Sequence, residues 1–249
     1  LVVIVGPTAS GKSELAIRIA RQFNGEIISA DSRQIYKHLT IGTAKVAGIW
    51  RRKKGRKKNF VYKKIPHFCI DTVSPKKIFT AAQFKECASN AINDIWSRDG
   101  NPLVVGGTGL WIDTLIYDMR LPEVAPNPAL RKKLEKKSPD KLFAMLKKLD
   151  PRRADAIEQK NPRRLIRAIE IAKALGHIPL LKRDNPYHAH WVGIAPSRRA
   201  LEQRITARSR AMVKNGLVTE TKKLLAKGVS KKRIRGLGFE YAAALQVIE

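Results

Sequence analysis

Gly6-Pro7-Thr8-Ala9-Ser10-Gly11-Lys12-Ser13 fits the pattern G-x-x-x-x-G-K-[ST], and every residue type in it suits the binding of phosphate. Glycines let successive backbone N–H groups curl around an anion, and the start of a following helix adds partial positive charge. Lys12 reaches the outer phosphate, and the Ser13 hydroxyl can ligate Mg²⁺. The loop specifies phosphate rather than ATP. An ATPase or kinase of this class also places an acid at the end of a hydrophobic strand to hold its metal. Here Leu103-Val104-Val105 runs into Gly106-Gly107-Thr108 with no carboxylate. The well-placed acid is Asp31, after the run that ends at Ala30, where it would face the loop across the carboxyl ends of adjacent parallel strands. Asp31 can cap the segment that follows it, or it can orient and deprotonate a nucleophile beside a diphosphate. Both readings stay open.

These groups need a sheet edge to sit on. Leu1-Val2-Val3-Ile4-Val5 is continuously apolar, as expected of a strand buried on both faces of a parallel sheet. Leu15, Ile19 and Phe23, with Ala16 and Ala20, form one helical stripe, and Gly25 is expected to stop that helix. Strands are expected over 26–30, 65–70 and 103–105. Thr80-Ala81-Ala82-Gln83 reads as a capping box opening a helix that ends by Gly100. From Asn127 to Leu175 the periodicity is helical, broken at Pro139, Pro151 and Pro162 and closed by Gly176. A strand over 191–195 and a long helix from Ser197 to Asn215, capped by Gly216, follow. The expected fold class is α/β: a P-loop NTPase-like parallel sheet flanked by helices, with an all-helical insertion domain. Residues 1–117 would be the first part of the core, 118–189 the insertion and 190–249 the completion of the core.

The chain carries 50 Lys and Arg against 21 Asp and Glu, a formal net charge of +29 over 249 residues. At 43% hydrophobic it is not a disordered segment, and a globular chain so basic asks for a polyanion such as nucleic acid. No apolar run approaches the roughly 20 residues of a membrane span, so no membrane partner is expected. Cys69 and Cys87 show neither a disulfide framework nor a metal-ligand spacing, which suits a reducing, cytoplasmic compartment. No secretory leader is visible, and both ends read as trimmed. Arg51-Arg52-Lys53-Lys54-Gly55-Arg56-Lys57-Lys58 holds seven cations in eight residues and reads either as an arm for nucleic acid or as a solvated loop.

Several motifs taken together resemble one family, the tRNA dimethylallyltransferases (tRNA isopentenyltransferases). They are the phosphate loop, Asp31-Ser32-Arg33-Gln34-Ile35-Tyr36-Lys37, Ile41-Gly42-Thr43-Ala44-Lys45, Gly106-Gly107-Thr108-Gly109-Leu110-Trp111, Arg163-Arg164-Leu165-Ile166-Arg167-Ala168-Ile169-Glu170 and Arg235-Gly236-Leu237-Gly238-Phe239. Their order and spacing match from Val3 to Phe239. The resemblance implies transfer of a dimethylallyl group from dimethylallyl diphosphate to N6 of adenosine 37 in the anticodon stem-loop of tRNA, with Mg²⁺. A phosphate loop lacking the strand-end acid suits a diphosphate that departs as leaving group, with no water to activate. The target base has to leave its stack to reach such a site.

By the same resemblance, Gly6, Pro7, Thr8, Ala9, Ser10, Gly11, Lys12 and Ser13 bind the donor together with Arg208, and Ser13 ligates Mg²⁺. Asp31 is the catalytic base and, with Ser32, Arg33 and Gln34, meets the flipped adenine. Thr108, Arg131, Arg163, Arg164, Leu165, Ile166, Arg167, Arg235, Gly236, Leu237, Gly238, Phe239 and Glu240 match places where the family touches tRNA. The chain departs from the family pattern at Phe68, where a second histidine is usual, and at Trp111 and Phe239, where tyrosine is usual. Bulk and apolar character are kept at Trp111 and Phe239, so packing there is expected to survive. The basic stretch 51–64 looks longer than the family norm and is expected to add tRNA affinity. With no zinc-finger extension visible, the form looks bacterial, and it is expected to act as a monomer. The rival readings are a P-loop small-molecule kinase, which would bind ATP and use Asp31 on a hydroxyl, and a non-catalytic RNA-binding protein. The first leaves the basic helical insertion without a role, and the second leaves Lys12, Ser13 and Asp31 intact for no reason.

Overall fold

In the computed structural model, which describes residues 1–52 and 58–249, the phosphate loop sits between a strand and a helix as its sequence requires. β1 (Val2–Val5) ends at the loop, and α1 (Lys12–Gln22) begins with its lysine. Ala16, Ile17 and Ala20 of α1 are buried against the sheet. Gly25 does not cap this helix. Asn24 takes the left-handed conformation at φ 46°, and Gly25 opens β2 (Gly25–Ala30). Phe23 lies outside the core at 54% exposure.

The chain continues through β3 (Ile49–Arg52), β4 (Lys58–Tyr62), β5 (Ile65–Phe68), α2 (Ala81–Trp96), β6 (Asn101–Gly106) and α3 (Gly109–Ile116). A helical stretch follows: α4 (Pro128–Leu134), α5 (Pro139–Leu149), α6 (Pro151–Asp155) and α7 (Pro162–Leu175). Then come β7 (His190–Gly193), α8 (Arg198–Lys214), α9 (Leu217–Ala226), α10 (Lys231–Arg235) and α11 (Phe239–Ile248). Among the described residues the seven strands form one sheet in the order β3-β4-β5-β2-β6-β1-β7. β1, β2, β5, β6 and β7 run parallel. β3 and β4 are antiparallel additions at the β5 edge.

That edge corrects the reading of the basic run. Arg51 and Arg52 lie in β3 and Lys58 in β4, paired in a ladder that Trp50 and Phe60 close edge to face at 5.8 Å. Residues 53–57 of the run lie outside the described residues. The cysteines are a second correction: Cys69, just past β5, and Cys87 of α2 are joined in a disulfide with Cα atoms 6.2 Å apart. They stand 18 positions apart in sequence. Only the packing of α2 against the sheet brings them together. No helix among the described residues is long and apolar enough to cross a membrane.

The chain divides into two compact units, Leu1–Met119 with Asp184–Glu249, and Arg120–Arg183. In the second, Pro139, Pro151 and Pro162 open helices rather than interrupt one. Each stands at the first helical position, where its missing N–H is no loss, and the residue before it caps the helix: Ser138, Asp150 and Asn161. Gly176 closes α7 in the left-handed region as expected, at φ 77°.

Leu142, Leu146, Leu165 and Ile169 form the centre of this unit. Two acids are buried in this unit, Asp150 and Glu170, and the deeper is Glu170, whose side chain is 1% exposed. Its carboxylate accepts from Arg131 Nε at 2.7 Å and Nη2 at 2.6 Å, from Asn127 N–H at 2.8 Å and from Arg167 at 3.3 Å. Burial pushes the Glu170 carboxyl up, but these bonds outweigh it and hold the group below its ordinary value. Its stabilising contribution is therefore present above the ordinary glutamate value and is lost as pH falls through the lower, folded one. Glu170→Ala is expected to cost about 2–3 kcal/mol at pH 7. Urea unfolding at pH 7 and pH 3 checks this, with the gap to the parent narrowing at the acid end.

Candidate active site

Three segments leave the carboxyl edge of the sheet close together: the phosphate loop after β1, Asp31 to Gln34 after β2, and Gly107-Thr108 after β6. β6 lies between β1 and β2, so the loop and Asp31 do not follow neighbouring strands as the sequence suggested. They meet across β6, which requires close backbone approach there. A Cβ on Gly106 would overlap the carbonyl group of Ala30, so this position admits glycine alone. Beyond it, Thr108 N–H donates to Ala30 O at 3.2 Å, and Thr108 Oγ1 accepts from Ser32 N–H at 3.0 Å. The Asp31 turn is thereby pinned to the end of β6.

Asp31 caps that turn, its Oδ1 accepting from Arg33 N–H at 2.8 Å and from Gln34 N–H at 3.2 Å. The capping reading of this residue is realised, and it leaves Oδ2 as the oxygen to act on a proton. Lys12 Nζ donates to Gly6 O at 2.8 Å and to Pro7 O at 2.6 Å, which curls the ammonium into its own loop. Burial pushes the Lys12 ammonium below the ordinary lysine value; Asp31 opposes that shift and Arg208 adds to it. Both charges are therefore felt by the Lys12 ammonium. Arg208 Nη2 donates to Thr43 O at 3.4 Å, and Arg204, one helical turn earlier in α8, donates to Ser10 O at 3.3 Å.

Two cavities open on this edge. The larger, 410 Å³, is lined by Thr8 to Ser13, Asp31, Gln34 and Arg208, and also by Ile27, Val46, Tyr62, His67 and Ile70. His67 is buried, its Nδ1 lies 3.0 Å from Ile65 O, and burial pushes its imidazole down, so it stands neutral at neutral pH. The smaller cavity, 240 Å³, is lined by Pro7, Ser32, Arg33, Thr43, Thr108, Leu237 and Glu240 among others. Thr8, Asp31, Gly107 and Arg208 line both. Asp31 and Arg208 thus stand in the wall between an anion cradle that also has apolar lining and a second opening.

The remaining residues singled out from sequence fall in several places. Arg33 Nη1 donates to Gly236 O at 2.9 Å, tying the Asp31 turn to the segment 235–240. In that segment Arg235 pairs with Glu249 at 2.7 Å, Leu237 is 1% exposed, and Glu240 reaches the smaller cavity. Phe239 is 93% exposed, which corrects the expectation that it packs like an interior aromatic. Trp111 does pack, stacked on Phe84 at 4.6 Å. In the helical unit, Arg163 and Arg164 are exposed, while Arg131 and Arg167 hold Glu170. Leu165 and Ile166 are core residues there, at 0% and 7% exposure, so their side chains do not face a nucleic acid. Sequence reasoning missed Arg204, Thr43, Tyr62 and His67 as site residues. Arg204 left a signal, standing four residues before Arg208 and so on the same helix face, and Thr43 stands within the Ile41-Gly42-Thr43-Ala44-Lys45 motif.

The family described as IPP transferase matches residues 34–248, and the one described as isopentenyl transferase matches residues 1–54. The chain is 42% identical over 252 residues to the tRNA dimethylallyltransferase of Acetivibrio thermocellus, with 96% of this chain and 77% of that one covered. Among solved structures it resembles the full-length tRNA isopentenylpyrophosphate transferase of Bacillus halodurans, with TM-score 0.66, 33% identity, and 99% of this chain and 76% of that one covered. It also resembles a eukaryotic dimethylallyltransferase solved acting on tRNA, with TM-score 0.72, 28% identity, and 94% of this chain and 59% of that one covered.

Proposed function

The chain belongs to the tRNA dimethylallyltransferase family, the IPP transferases, and on that premise we propose that its two joined cavities bring dimethylallyl diphosphate and adenosine 37 of tRNA together from opposite sides. The protein is a prenyltransferase that acts on tRNA. The observation that carries the finer reading is the wall that the cavities share: Thr8, Asp31, Gly107 and Arg208. On the larger side, the phosphate loop, Lys12 and Arg208 take the diphosphate, and Ile27, Val46, Tyr62, His67 and Ile70 offer the apolar surface that a five-carbon tail needs. On the smaller side, Ser32, Arg33, Thr108 and Glu240 offer polar groups to the edge of a flipped base.

The reaction forms a bond from N6 to C1 of the donor and breaks the bond from C1 to oxygen. The electron pair of the broken bond leaves with the diphosphate. Positive character grows on the prenyl group and negative charge on the leaving oxygen, where Lys12, Arg208 and the loop amides stand ready to receive it. N6 must shed a proton as it attacks, and Asp31 Oδ2 is the acceptor. Ser13 fits a role as Mg²⁺ ligand: its hydroxyl offers a hard oxygen donor in the wall of the phosphate cradle. Among the described residues no group of three or more His, Cys, Asp or Glu is gathered to hold a metal, so the remaining ligands would be diphosphate and water. When bound, Mg²⁺ supplies charge neutralisation to the leaving diphosphate. The protein's tRNA substrate supports a cytoplasmic location.

The test is a single-turnover assay with purified protein, Mg²⁺, labelled dimethylallyl diphosphate and an anticodon stem-loop carrying A36-A37-A38. Label is expected on the RNA, at A37, and is expected to be lost when A37 is replaced by another base. Absence of transfer together with ATP-dependent labelling of a small metabolite would overturn the reading in favour of a kinase.

A further inference from the structure

The stretch Ile41-Gly42-Thr43-Ala44-Lys45 enters the site through one peptide oxygen. Thr43 O accepts from Gln34 Nε2 at 3.2 Å and from Arg208 Nη2 at 3.4 Å. A side chain of the Asp31 turn and the guanidinium shared by both cavities therefore lean on the same carbonyl. The turn that carries this carbonyl is braced locally by Thr43 Oγ1, which donates to Leu39 O at 2.7 Å, and from across the fold by Glu220 of α9. Glu220 Oε2 accepts from Thr40 N–H at 3.0 Å and Ile41 N–H at 2.9 Å, and Oε1 accepts from Ile41 N–H and Gly42 N–H, both at 3.1 Å. Tyr241, fully buried, donates its hydroxyl to Oε1 at 2.6 Å. Burial and the carboxylate together push the Tyr241 phenol far up, so it remains a donor at every working pH. Gly42 lies flat on the Tyr241 ring, where a Cβ would come within 2.6 Å of Cζ.

An acid in the first turn of a helix is ordinarily explained by the helix dipole. Glu220 exceeds that explanation, because both its oxygens are spent on three successive amides of a segment about 180 residues away in sequence. Charge-assisted bonds to three consecutive N–H groups fix the path of a turn far more tightly than one cap does.

We infer that Glu220 is a positioning residue for the transfer: it holds the 40–43 turn so that Thr43 O keeps Gln34 and Arg208 aimed at the wall between the cavities. This rests on the transferase reading, and the test separates the two. Transfer kinetics and binding of inorganic diphosphate are measured for the parent, Glu220→Ala, Glu220→Gln, Arg208→Ala and the Glu220→Ala/Arg208→Ala pair. Leu224→Ala serves as a control that removes a buried side chain of α9 while keeping the Glu220 carboxylate. Glu220→Ala is expected to raise the donor KM about tenfold, lower kcat about tenfold or more, and weaken diphosphate binding about tenfold, with Glu220→Gln recovering part of each through its remaining acceptor oxygen. In the Arg208→Ala background the same change is expected to weaken diphosphate binding by no more than about twofold, because the two residues act through one contact. Leu224→Ala is expected to lower the melting temperature while leaving KM and diphosphate affinity unchanged. Additive losses in the double variant, or a Leu224→Ala profile matching that of Glu220→Ala, would overturn the inference. A parent protein that transfers nothing would overturn the transferase reading, and the diphosphate arm would still decide whether Glu220 and Arg208 are coupled.

Discussion

Asp31→Asn is expected to cut single-turnover transfer about 10²- to 10⁴-fold, the range that loss of a general base commands, while leaving tRNA affinity within about twofold of the parent. Asparagine is the informative replacement because Asp31 performs two tasks. Its Oδ1 accepts from the Arg33 and Gln34 N–H groups and so shapes the turn that faces the smaller cavity. An asparagine carbonyl oxygen does the same, so the turn and the residues it presents survive. What asparagine cannot do is take a proton from N6. The electrostatic consequence runs the other way for the donor, because Asp31 is a negative charge beside a cradle for a dianion or trianion. Removing it relieves repulsion, so the donor KM is expected to stay level or fall as kcat collapses. Asp31→Ala is expected to lose both tasks, with weakened tRNA binding added to the lost rate. Stopped single-turnover rates at saturating donor, paired with filter-binding affinities for the stem-loop, distinguish the two variants. An Asp31→Asn rate within about fivefold of the parent would remove Asp31 from the proton transfer and leave it as a cap.

How much of this was legible in the sequence depended on how local the cause is. The phosphate loop was readable because its strand, its glycines and its helix are consecutive, and Asp31 because a polar residue ends an apolar run. In sequence the prolines of the helical unit interrupt a periodic pattern, yet Pro139, Pro151 and Pro162 begin helices. Periodicity cannot distinguish a proline that ends one helix from a proline at the first position of the next; the preceding Ser138, Asp150 and Asn161 carried that information as caps. The β3–β4 ribbon was hidden because its ends are cationic, and its stability comes from a pair ten residues apart, Trp50 and Phe60. Leu165 and Ile166 sit between arginines in a segment that sequence reasoning treated as one surface. A helix turns its faces every few residues, so Arg163 and Arg164 point outward while their neighbours fill the core. Thr43 and Glu220 were beyond reach for a different reason. One acts through a backbone oxygen, which any residue type supplies, and the other through amides about 180 positions away.

The second large effect is expected at Lys12. Lys12→Met keeps most of the stem and removes the charge. The ammonium already donates to Gly6 O and Pro7 O, so the loop holds it in place before the donor arrives and little ordering is left to be done on binding. A charged hydrogen bond to the diphosphate contributes about 1.5–3 kcal/mol, so the donor KM is expected to rise about 10- to 100-fold. Charge that grows on the leaving oxygen only in the transition state adds a further loss of about 10²-fold or more in kcat. Burial, the largest influence on this group, disfavours its charged form, so Lys12 loses its proton at lower pH than an ordinary lysine. For the free protein, kcat/KM is therefore expected to fall on the alkaline side as pH rises through that depressed value. Bound diphosphate opposes the shift by favouring the ammonium, so the limb in kcat should lie at higher pH than the limb in kcat/KM. The separation of the two limbs, and the disappearance of the kcat/KM limb in Lys12→Met, are read from pH–rate profiles taken with the stem-loop saturating. Parallel limbs in the variant would assign the titration to another group and reduce Lys12 to a structural brace of its loop.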